Sequence, residues 1–251
     1  MPSKSSCDNT DVCARSALDR RQALVVGLGA VATAVWGRPS SAQGVRSDRD
    51  RAELTCVVTP DQTEGPYFVD EHLNRSDIRS DPSDGSVRPG LPLNLLINVT
   101  GIAGCRPLAG AIVDIWHCDA SGAYSDVGEP RFKTPGSRFL RGYQVTDQSG
   151  SVRFATIYPG SYPGRAVHIH FKIRARSNTA EAVELTSQLY FDDAITDRVH
   201  QHAPYSQRPR ARTRNEQDGI FQDGGRDLAL ALSASAQGYD GRFKVGLKLP
   251  S

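Results

Sequence analysis

The chain has 251 residues, of which 38% are hydrophobic and 23% are charged. This composition is ordinary for a globular protein and provides enough apolar residues for a core that folds unaided. A formal net charge of +2 gives no reason to expect a nucleic acid or a membrane surface as a partner. The 23 Gly and 15 Pro residues favour turns and strands over long helices.

The start of the chain has the pattern of an export signal. Arg20 and Arg21 precede an apolar run, Ala23–Trp36, that is too short for a comfortable membrane span, and small residues follow at Ser40–Ala42. Paired arginines before a weakly hydrophobic segment resemble a twin-arginine signal. We therefore predict that residues 1–42 are a signal peptide and that the mature protein is periplasmic or extracellular. The alternative, a short N-terminal core helix, is disfavoured because the run is not amphipathic.

The rest of the chain is predicted to contain a linker, residues 43–54, and one folded domain, residues 55–251. Within the domain, apolar stretches of strand length are separated by turn residues, and Asp147–Gly150 is typical of a hairpin turn. No alternation of strands and helices is present, which indicates an all-β protein: a two-sheet antiparallel β-sandwich with long loops. The predicted strands are Leu91–Val99, Ala111–Trp116, Arg138–Thr146, Ser151–Ile157, Val167–Arg174, Leu185–Phe191 and Phe243–Leu249.

The stretch Tyr158–Phe171, YPGSYPGRAVHIHF, carries the strongest indication of chemistry. Apolar residues alternate with His168 and His170, so a strand would place both imidazoles on one face, close enough to share a metal ion. Imidazole suits zinc, copper, iron or nickel. The phenols of Tyr162 and Tyr124 would be hard, charged ligands that favour Fe(III). The alternative is a polar pair on the solvent face of an edge strand, since two histidines are only half a coordination shell.

Taken together, these motifs resemble the intradiol ring-cleavage dioxygenases, non-haem Fe(III) enzymes that open catechols between their two hydroxyl groups. The resemblance covers about residues 59–221 and implies a β-sandwich, in agreement with the predicted strands. It also places the metal ligands at Tyr124, Tyr162, His168 and His170. The matching segments, in family order, are TPDQTEGPYF, PLAGAIVDIWHCDASGAYSD, FLRGYQVTDQSGSVRFATIYPGSYPGRAVHIHFKI, SQLYF and NEQDGIF.

The resemblance further implies a reaction and its catalytic residues. A catechol is expected to bind as a dianion and to displace Tyr162, whose phenolate takes up a catechol proton. Arg165 would stabilise the negative charge that develops on the substrate, and Gln188 would orient an oxygen atom by hydrogen bonding. The expected partners are therefore a catechol-type substrate and O2, and the expected product is a muconate-type diacid.

Three cysteines follow the predicted signal peptide. Cys118 lies on or just beyond a predicted strand beside the expected site, so in an oxidising compartment we expect Cys56 and Cys105 to form the disulfide. His117 is expected to be structural, because strand alternation points it away from the side of its neighbour Cys118. Tyr158 is expected to be a packed or pocket-wall residue. Two polar stretches are expected to be solvated loops: Asp192–Asp193 and the arginines at 208, 210, 212 and 214.

Two other classes of function remain as alternatives. The first is a non-catalytic β-sandwich module that binds small aromatic molecules. A carrier, however, has no need for two tyrosines and two histidines that converge on one ion. The second is a zinc-dependent hydrolase, which is disfavoured because catalytic zinc sites usually contain a carboxylate or a third histidine and rarely a phenolate.

Overall fold

The computed structural model describes residues 56–129, 132–176, 181–207 and 211–250. The predicted signal peptide and linker lie outside these residues and stay predictions. Among the described residues, no helix is both long and apolar enough to cross a membrane. These residues form two main β-sheets with few helices, which confirms the predicted β-sandwich.

The first sheet is built around β1 (Pro92–Gly101). One edge of β1 pairs antiparallel with β2 (Arg106–Pro107) and β7 (Ser151–Ile157). The other edge pairs parallel with β11 (Tyr239–Leu247), and β10 (Ala231–Ala234) extends the sheet beyond it. The parallel pair departs from a purely antiparallel sandwich. Parallel neighbours need a long connection, and here the chain between β1 and β11 supplies it.

The second sheet has four antiparallel strands and carries the residues of interest. Their order is β6 (Arg141–Val145), β3 (Ile112–Trp116), β8 (His168–Arg176) and β9 (Ala182–Tyr190). Each of these four strands overlaps a predicted strand, with ends that differ by a few residues. The predicted Ser151–Ile157 of the first sheet begins and ends as predicted.

The hydrophobic core lies between the two sheets. Successive side chains of a strand point to opposite faces, so every second residue of β1 and β8 is apolar and buried in the core. The intervening residues of β8, which include both histidines, lie on the outer face of the second sheet. The core residues of these two strands are Leu93, Leu95, Ile97, Val99, Ile169, Phe171, Ile173 and Ala175.

The other elements are short, and sequence patterns missed most of them. β10, for example, has four residues, none of them buried, and so offers no alternation to detect. The remaining elements are α1 (Asp193–His200), α2 (Gly219–Gln222), the hairpin of β4 (Gly128–Glu129) and β5 (Phe132–Lys133), and single 3-10 turns at Ala103–Cys105, Tyr205–Gln207, Asn215–Gln217 and Gly225–Leu228.

Cys56 and Cys105 form a disulfide, as predicted, with Cα atoms 5.5 Å apart. The bond joins the start of the described domain to the turn between β1 and β2. Cys118 is buried and is not disulfide-bonded. Burial raises the pKa of its thiol above the ordinary value, so this cysteine behaves as a core residue.

A segment that precedes β1, Thr59–Glu71, runs across the outer face of the second sheet, and we call it the covering segment. Two cations of β8 bind it. Lys172 forms an ion pair with Glu64, and Arg174 forms one with Asp70 at 2.9 Å. In the sequence, Pro60, Gly65 and Pro66 are turn-forming residues and predict no more than a loop here. In the fold it is the lid of the sheet face that carries the histidines.

Candidate active site

A row of four buried side chains crosses the outer face of the second sheet at the end that carries the histidines. The strand registers place Arg141 opposite Trp116, Trp116 opposite His170, and His170 opposite Gln188. Directly opposed residues point to the same face of a sheet, and all four are at most 3% exposed. His168, two residues before His170, lies beside this row. Strand pairing therefore brings together two predicted ligands and one predicted catalytic residue.

Two loops add tyrosines to the two imidazoles. Tyr124 belongs to the loop after β3, and Tyr162 belongs to the Pro/Gly-rich loop before β8. The Oη atoms of Tyr124 and Tyr162 lie 3.4 and 3.2 Å from Nε2 of His168. The Nε2 atoms of His168 and His170 are 3.0 Å apart. The four predicted ligand positions thus meet at one point.

The two tyrosine loops approach each other closely at a glycine. Gly122 has φ of +86°, and a Cβ atom there would lie 2.3 Å from the carbonyl oxygen of Ser161. A residue with a side chain at this position would be strained and would push the loops apart. Gly122 therefore lets Tyr124 and Tyr162 reach the same point.

Both imidazoles at this point are neutral. Nδ1 of His168 lies 2.6 Å from the carbonyl oxygen of Ala166, so it carries the proton, and Nε2 presents a lone pair to the cluster. Burial, with the charge of Arg165 in support, lowers the pKa of His168 to about 3. Burial and the neighbouring His168 lower the pKa of His170 well below its ordinary value.

The phenols are held in their neutral form by the protein alone. Burial raises the pKa of Tyr124 well above its ordinary value, and the neighbouring Tyr162 adds to the effect. Burial likewise raises the pKa of Tyr162, although the charge of Arg165 acts in the opposite direction. A highly charged cation at the cluster would supply the positive charge that both phenolates need.

The donor set therefore fits a hard cation of high charge. Two imidazole Nε2 atoms and two phenol oxygens converge there. In the described parts of the chain, no group of three or more His, Cys, Asp or Glu side chains is arranged to hold a metal ion. The mixed histidine and carboxylate set typical of catalytic zinc is thus not what these residues offer. Phenolate with imidazole fits Fe(III) better than zinc.

The two predicted catalytic residues beyond the tyrosines lie together at this site. Arg165 Nη2 donates a hydrogen bond to Gln188 Oε1 at 2.5 Å. Gln188 Nε2 donates to the carbonyl oxygen of Thr63 in the covering segment at 3.0 Å. The Arg165 side chain is 15% exposed, so its guanidinium lies in the wall of the site and keeps some access to solvent.

Three residues around the site were not predicted from the sequence. Asp218 forms an ion pair with Arg165 at 2.9 Å. Arg141 is buried in the row and bonds to the residue after Tyr124, with its Nε 2.8 Å from Ser125 Oγ. The third is Tyr67. The segments NEQDGIF, FLRGYQV and EGPYF contain these residues, but nothing in the sequence shows what their side chains contact.

Tyr67 connects the covering segment to the tyrosine cluster. Its ring stacks on Tyr124 with centroids 4.5 Å apart, and its hydroxyl donates to Glu129 Oε1 at 2.7 Å. The next residue, Phe68, packs on Trp116 with ring centroids 4.8 Å apart. The covering segment thus shields Tyr124 and the histidine row from water.

His117 and Tyr158 have the structural roles predicted for them. His117 is fully buried, with Nδ1 2.8 Å from its neighbour's carbonyl oxygen and Nε2 2.7 Å from Thr156 Oγ1. The Tyr158 ring is also fully buried, and its hydroxyl lies 2.7 Å from Thr196 Oγ1. Neither side chain points to the cluster.

The prediction of solvated loops agrees with the exposure of Arg214, but it was wrong for Arg212 and for Asp193, which belongs to α1. Asp192 caps this helix by accepting from the backbone N–H of Ile195 at 2.9 Å. The Arg212 side chain is only 8% exposed and forms ion pairs with Asp193 and, at 2.7 Å, with Asp197. These pairs join residues 15–19 positions apart, a distance that charge patterning along the chain does not reveal. The arginines at 208 and 210 lie outside the described residues.

Comparisons with known proteins show the family to which the chain belongs. A family model described as "Dioxygenase" (Dioxygenase_C) matches residues 63–218. The solved structure of an intradiol ring-cleavage dioxygenase from Tetranychus urticae is 34% identical, with a TM-score of 0.66, and the match covers 77% of this chain and 95% of that chain. The dioxygenase domain of a dioxygenase–carbohydrate-binding protein fusion from Streptomyces sp. SirexAA-E is 32% identical, with a TM-score of 0.57 and coverage of 77% and 100%.

A curated relative gives the same result over a shorter region. The protocatechuate 3,4-dioxygenase beta chain of Burkholderia cepacia is 31% identical over 159 residues, which are 58% of this chain and 66% of that protein. The fold and these comparisons thus show a dioxygenase of the oxidoreductase class. The chain belongs to the intradiol ring-cleavage dioxygenase family, and the resemblance found in the sequence is confirmed.

Proposed function

We propose that the protein is a non-haem Fe(III) dioxygenase that cleaves a catechol ring between its two hydroxyl groups. O2 is the co-substrate and a muconate-type diacid is the product. One observation carries the proposal: two phenol oxygens and two imidazole Nε2 atoms meet, with neighbouring distances of 3.0–3.4 Å. The names of two relatives, protocatechuate 3,4-dioxygenase and catechol 1,2-dioxygenase, support a catechol-type substrate.

Tyr124, Tyr162, His168 and His170 would hold the iron. When bound, Fe(III) supplies a Lewis acid that chelates the catechol and activates its ring towards O2. The protein keeps both imidazoles neutral by burial and fixes the His168 tautomer through the carbonyl oxygen of Ala166. The ligands are thus preorganised before any metal binds.

The two tyrosines are not equivalent, and the difference assigns their roles. Tyr124 is 1% exposed and stacks on Tyr67, so we assign it as the fixed ligand. Tyr162 is half-buried and belongs to the loop before β8. It has more freedom to leave the cluster when a catechol enters. Its phenolate then accepts one of the catechol protons as a general base.

Arg165 and Gln188 act on the substrate from the wall of the site. The guanidinium is a fixed positive charge in a largely buried position, where it stabilises negative charge that develops on the ring. Gln188 is fixed by Arg165 and by the backbone of Thr63, so its amide can orient an oxygen atom of the substrate. Neither residue needs to move a proton.

The test is a visible absorption spectrum of the iron-loaded protein, recorded before and after anaerobic addition of catechol. Fe(III) bound to tyrosinate gives a charge-transfer band, and we expect a coloured protein whose band moves to longer wavelength with catechol. Tyr124→Phe should weaken and displace the band, because Tyr162 is then the one tyrosine ligand of the assigned set that remains. Tyr158→Phe is the matched control, because it removes a buried hydroxyl that bonds to Thr196 instead of the cluster. A colourless protein that binds one zinc ion, or no metal, would refute the proposal.

We also propose that the protein acts outside the cytoplasm. The twin-arginine pattern at Arg20 and Arg21 and the Cys56–Cys105 disulfide support this location, because disulfides persist in oxidising compartments. Cell fractionation with N-terminal sequencing is the test. We expect a periplasmic or secreted protein that begins after about residue 42, whereas an uncleaved cytoplasmic protein would refute this location.

A further inference from the structure

Asp218, in the segment NEQDGIF, has a buried carboxylate that is bonded at both oxygens. The residue is 1% exposed. Its Oδ1 accepts the backbone N–H of Ile220 at 2.9 Å and caps α2. Its Oδ2 accepts two further bonds, from Arg165 Nε and from the backbone N–H of Ala166, each at 2.9 Å. Capping one helical turn requires a single oxygen, so Oδ2 serves a different purpose.

One branch from Oδ2 fixes the guanidinium of Arg165. Asp218 binds Nε, and Gln188 binds Nη2 at 2.5 Å. The planar guanidinium is thus held at two of its nitrogens, which determines the direction of its remaining N–H groups. An arginine is a long side chain with many rotamers, and a charged hydrogen bond from a rigid partner limits them.

The second branch leads to the metal site. Ala166 donates its N–H to Asp218 Oδ2, and its carbonyl oxygen lies 2.6 Å from Nδ1 of His168. The outer hydrogen bond of a ligand histidine determines its tautomer and ring orientation. Through the backbone of Ala166, the same carboxylate oxygen therefore supports the acceptor that orients His168.

We propose that Asp218 is a positioning residue that sets both the Arg165 guanidinium and the His168 ring for the ring-cleavage reaction. This inference rests on the proposed function and deepens it. The carboxylate touches neither the substrate nor the metal. It acts through one side chain towards the substrate and through one backbone residue towards the iron.

Two measurements on iron-loaded protein separate the effect on Arg165 from the effect on His168. They are kcat with catechol and the rate of iron release to a chelator. Asp218→Asn removes the negative charge and one of the acceptor sites. We expect kcat to fall about 10–100-fold and iron release to rise about tenfold, as for other residues that orient metal ligands. Arg165→Ala should lower kcat about 100–1,000-fold and leave iron release unchanged. In the double variant, kcat should stay within about twofold of Arg165→Ala, because residues that act as a unit are not additive.

The matched control is Asp192→Asn, which makes the same change at the cap of α1. Asparagine also caps helices, so we expect both measurements to match the wild type within about twofold. If Asp218→Asn does not fold, Asp218→Ser replaces it, since serine retains a capping oxygen and is too short to bind Arg165.

Three outcomes would overturn the inference. The first is wild-type kcat and iron release in Asp218→Asn. The second is a loss in the double variant equal to the product of the two single losses, which would show that Asp218 acts independently of Arg165. The third is faster iron release in Arg165→Ala as well, which would remove the separate route to His168. A wild-type enzyme that cleaves no catechol would instead refute the proposed function.

Discussion

The outer face of the second sheet has two ends, and the polar side chains at these ends differ in the partners that they find. On β8, His168 and His170 occupy one end of the outer face, and Lys172 and Arg174 occupy the other. All four lie on the same face, because they alternate with the core residues of the strand. The covering segment lies over both ends. The alternation of polar and apolar residues is thus the same at both ends of β8. The two ends differ in the groups that the polar side chains contact.

At the distal end, which carries Lys172 and Arg174, each of these two cations is matched by two carboxylates. Lys172 pairs with Glu64 and, at 3.1 Å, with Glu184. Arg174 pairs with Asp114 and with Asp70. Charges that leave water need such partners, or the cost of desolvation is not offset. This end attaches the covering segment to the sheet and has a structural role.

At the end that carries His168 and His170, polar atoms are buried with fewer partners. In the described part of the chain, Arg141, Trp116 and His170 each contain a buried nitrogen with no hydrogen-bond partner: Nη1, Nε1 and Nδ1 respectively. The distal end has one such nitrogen, Nε of Arg174, on a guanidinium whose two other nitrogens both form ion pairs. Few buried polar groups in a native protein lack a partner. A row of three such groups therefore indicates a site shaped by function at the expense of stability.

The largest effect is expected from Tyr162→Phe, which tests the functional end. Removal of the proton acceptor should lower kcat about 10²–10⁴-fold, with the charge-transfer band retained through Tyr124. Stopped-flow measurement of catechol consumption checks the rate, and urea unfolding checks stability. A variant with wild-type kcat would contradict the assignment of Tyr162 as the base, and Tyr158→Phe serves again as the control.

A smaller loss is expected from Gln188→Leu, which changes the last residue of the buried row on the second sheet. This change removes the acceptor of Arg165 Nη2, so kcat should fall about 100-fold, the lower end of the range for a positioned donor. The control is Ser187→Ala, which removes a buried bond to the carbonyl oxygen of Pro60 and leaves Arg165 untouched. Ser187→Ala should cost about 1 kcal/mol of stability with kcat unchanged. Equal kcat losses in both variants would show that packing, not orientation, is lost.

The contrast between the two ends also shows what the sequence could predict. Alternation along β8 predicted that His168 and His170 share a face, and the motif resemblance added Tyr124 and Tyr162. The same alternation could not tell His170 from Lys172, because the groups that they meet come from other parts of the chain. His170 meets Trp116 and Tyr124, whereas Lys172 meets Glu64, about a hundred residues earlier. Asp218 and Arg141 were missed for the same reason, since their contacts depend on tertiary packing. The parallel pairing of β1 with β11 likewise depends on topology, which strand patterns do not encode.

At the distal end, Arg174→Met should reduce stability and leave catalysis unchanged. The variant leaves the Asp114 carboxylate, with its side chain 12% exposed, without its cation. An unsatisfied buried acceptor costs about 1–3 kcal/mol, measured as the loss in free energy of unfolding in urea. Arg79→Met is the control, because the Arg79–Asp77 pair is 38% and 48% exposed and should contribute less than about 1 kcal/mol. A tenfold loss of kcat in Arg174→Met would contradict the assignment of a purely structural role to the distal end.

The loss in free energy of unfolding caused by Arg174→Met should depend on pH. Burial raises the pKa of Asp114 even with Arg174 present. In Asp70, burial acts to raise the pKa, but the hydrogen bond and charge of Arg174 outweigh it and hold the pKa below the ordinary value. Without the cation both carboxylates protonate more readily in the folded state. The stability lost is therefore greatest near neutral pH and shrinks as the pH falls through the carboxylate range. Urea unfolding at pH 7 and pH 4 measures this, and a constant deficit would refute it.

The smallest effect is expected from Glu184→Gln, which weakens the distal end without exposing a buried charge. The Glu184 side chain is 54% exposed, and Lys172 retains its ion pair with Glu64 in the variant. Exposed ion pairs contribute little because water screens them, so the free energy of unfolding should change by less than about 0.5 kcal/mol. A loss above about 1.5 kcal/mol would mean that the distal pairs act as one network. The covering segment would then depend on all of these pairs together.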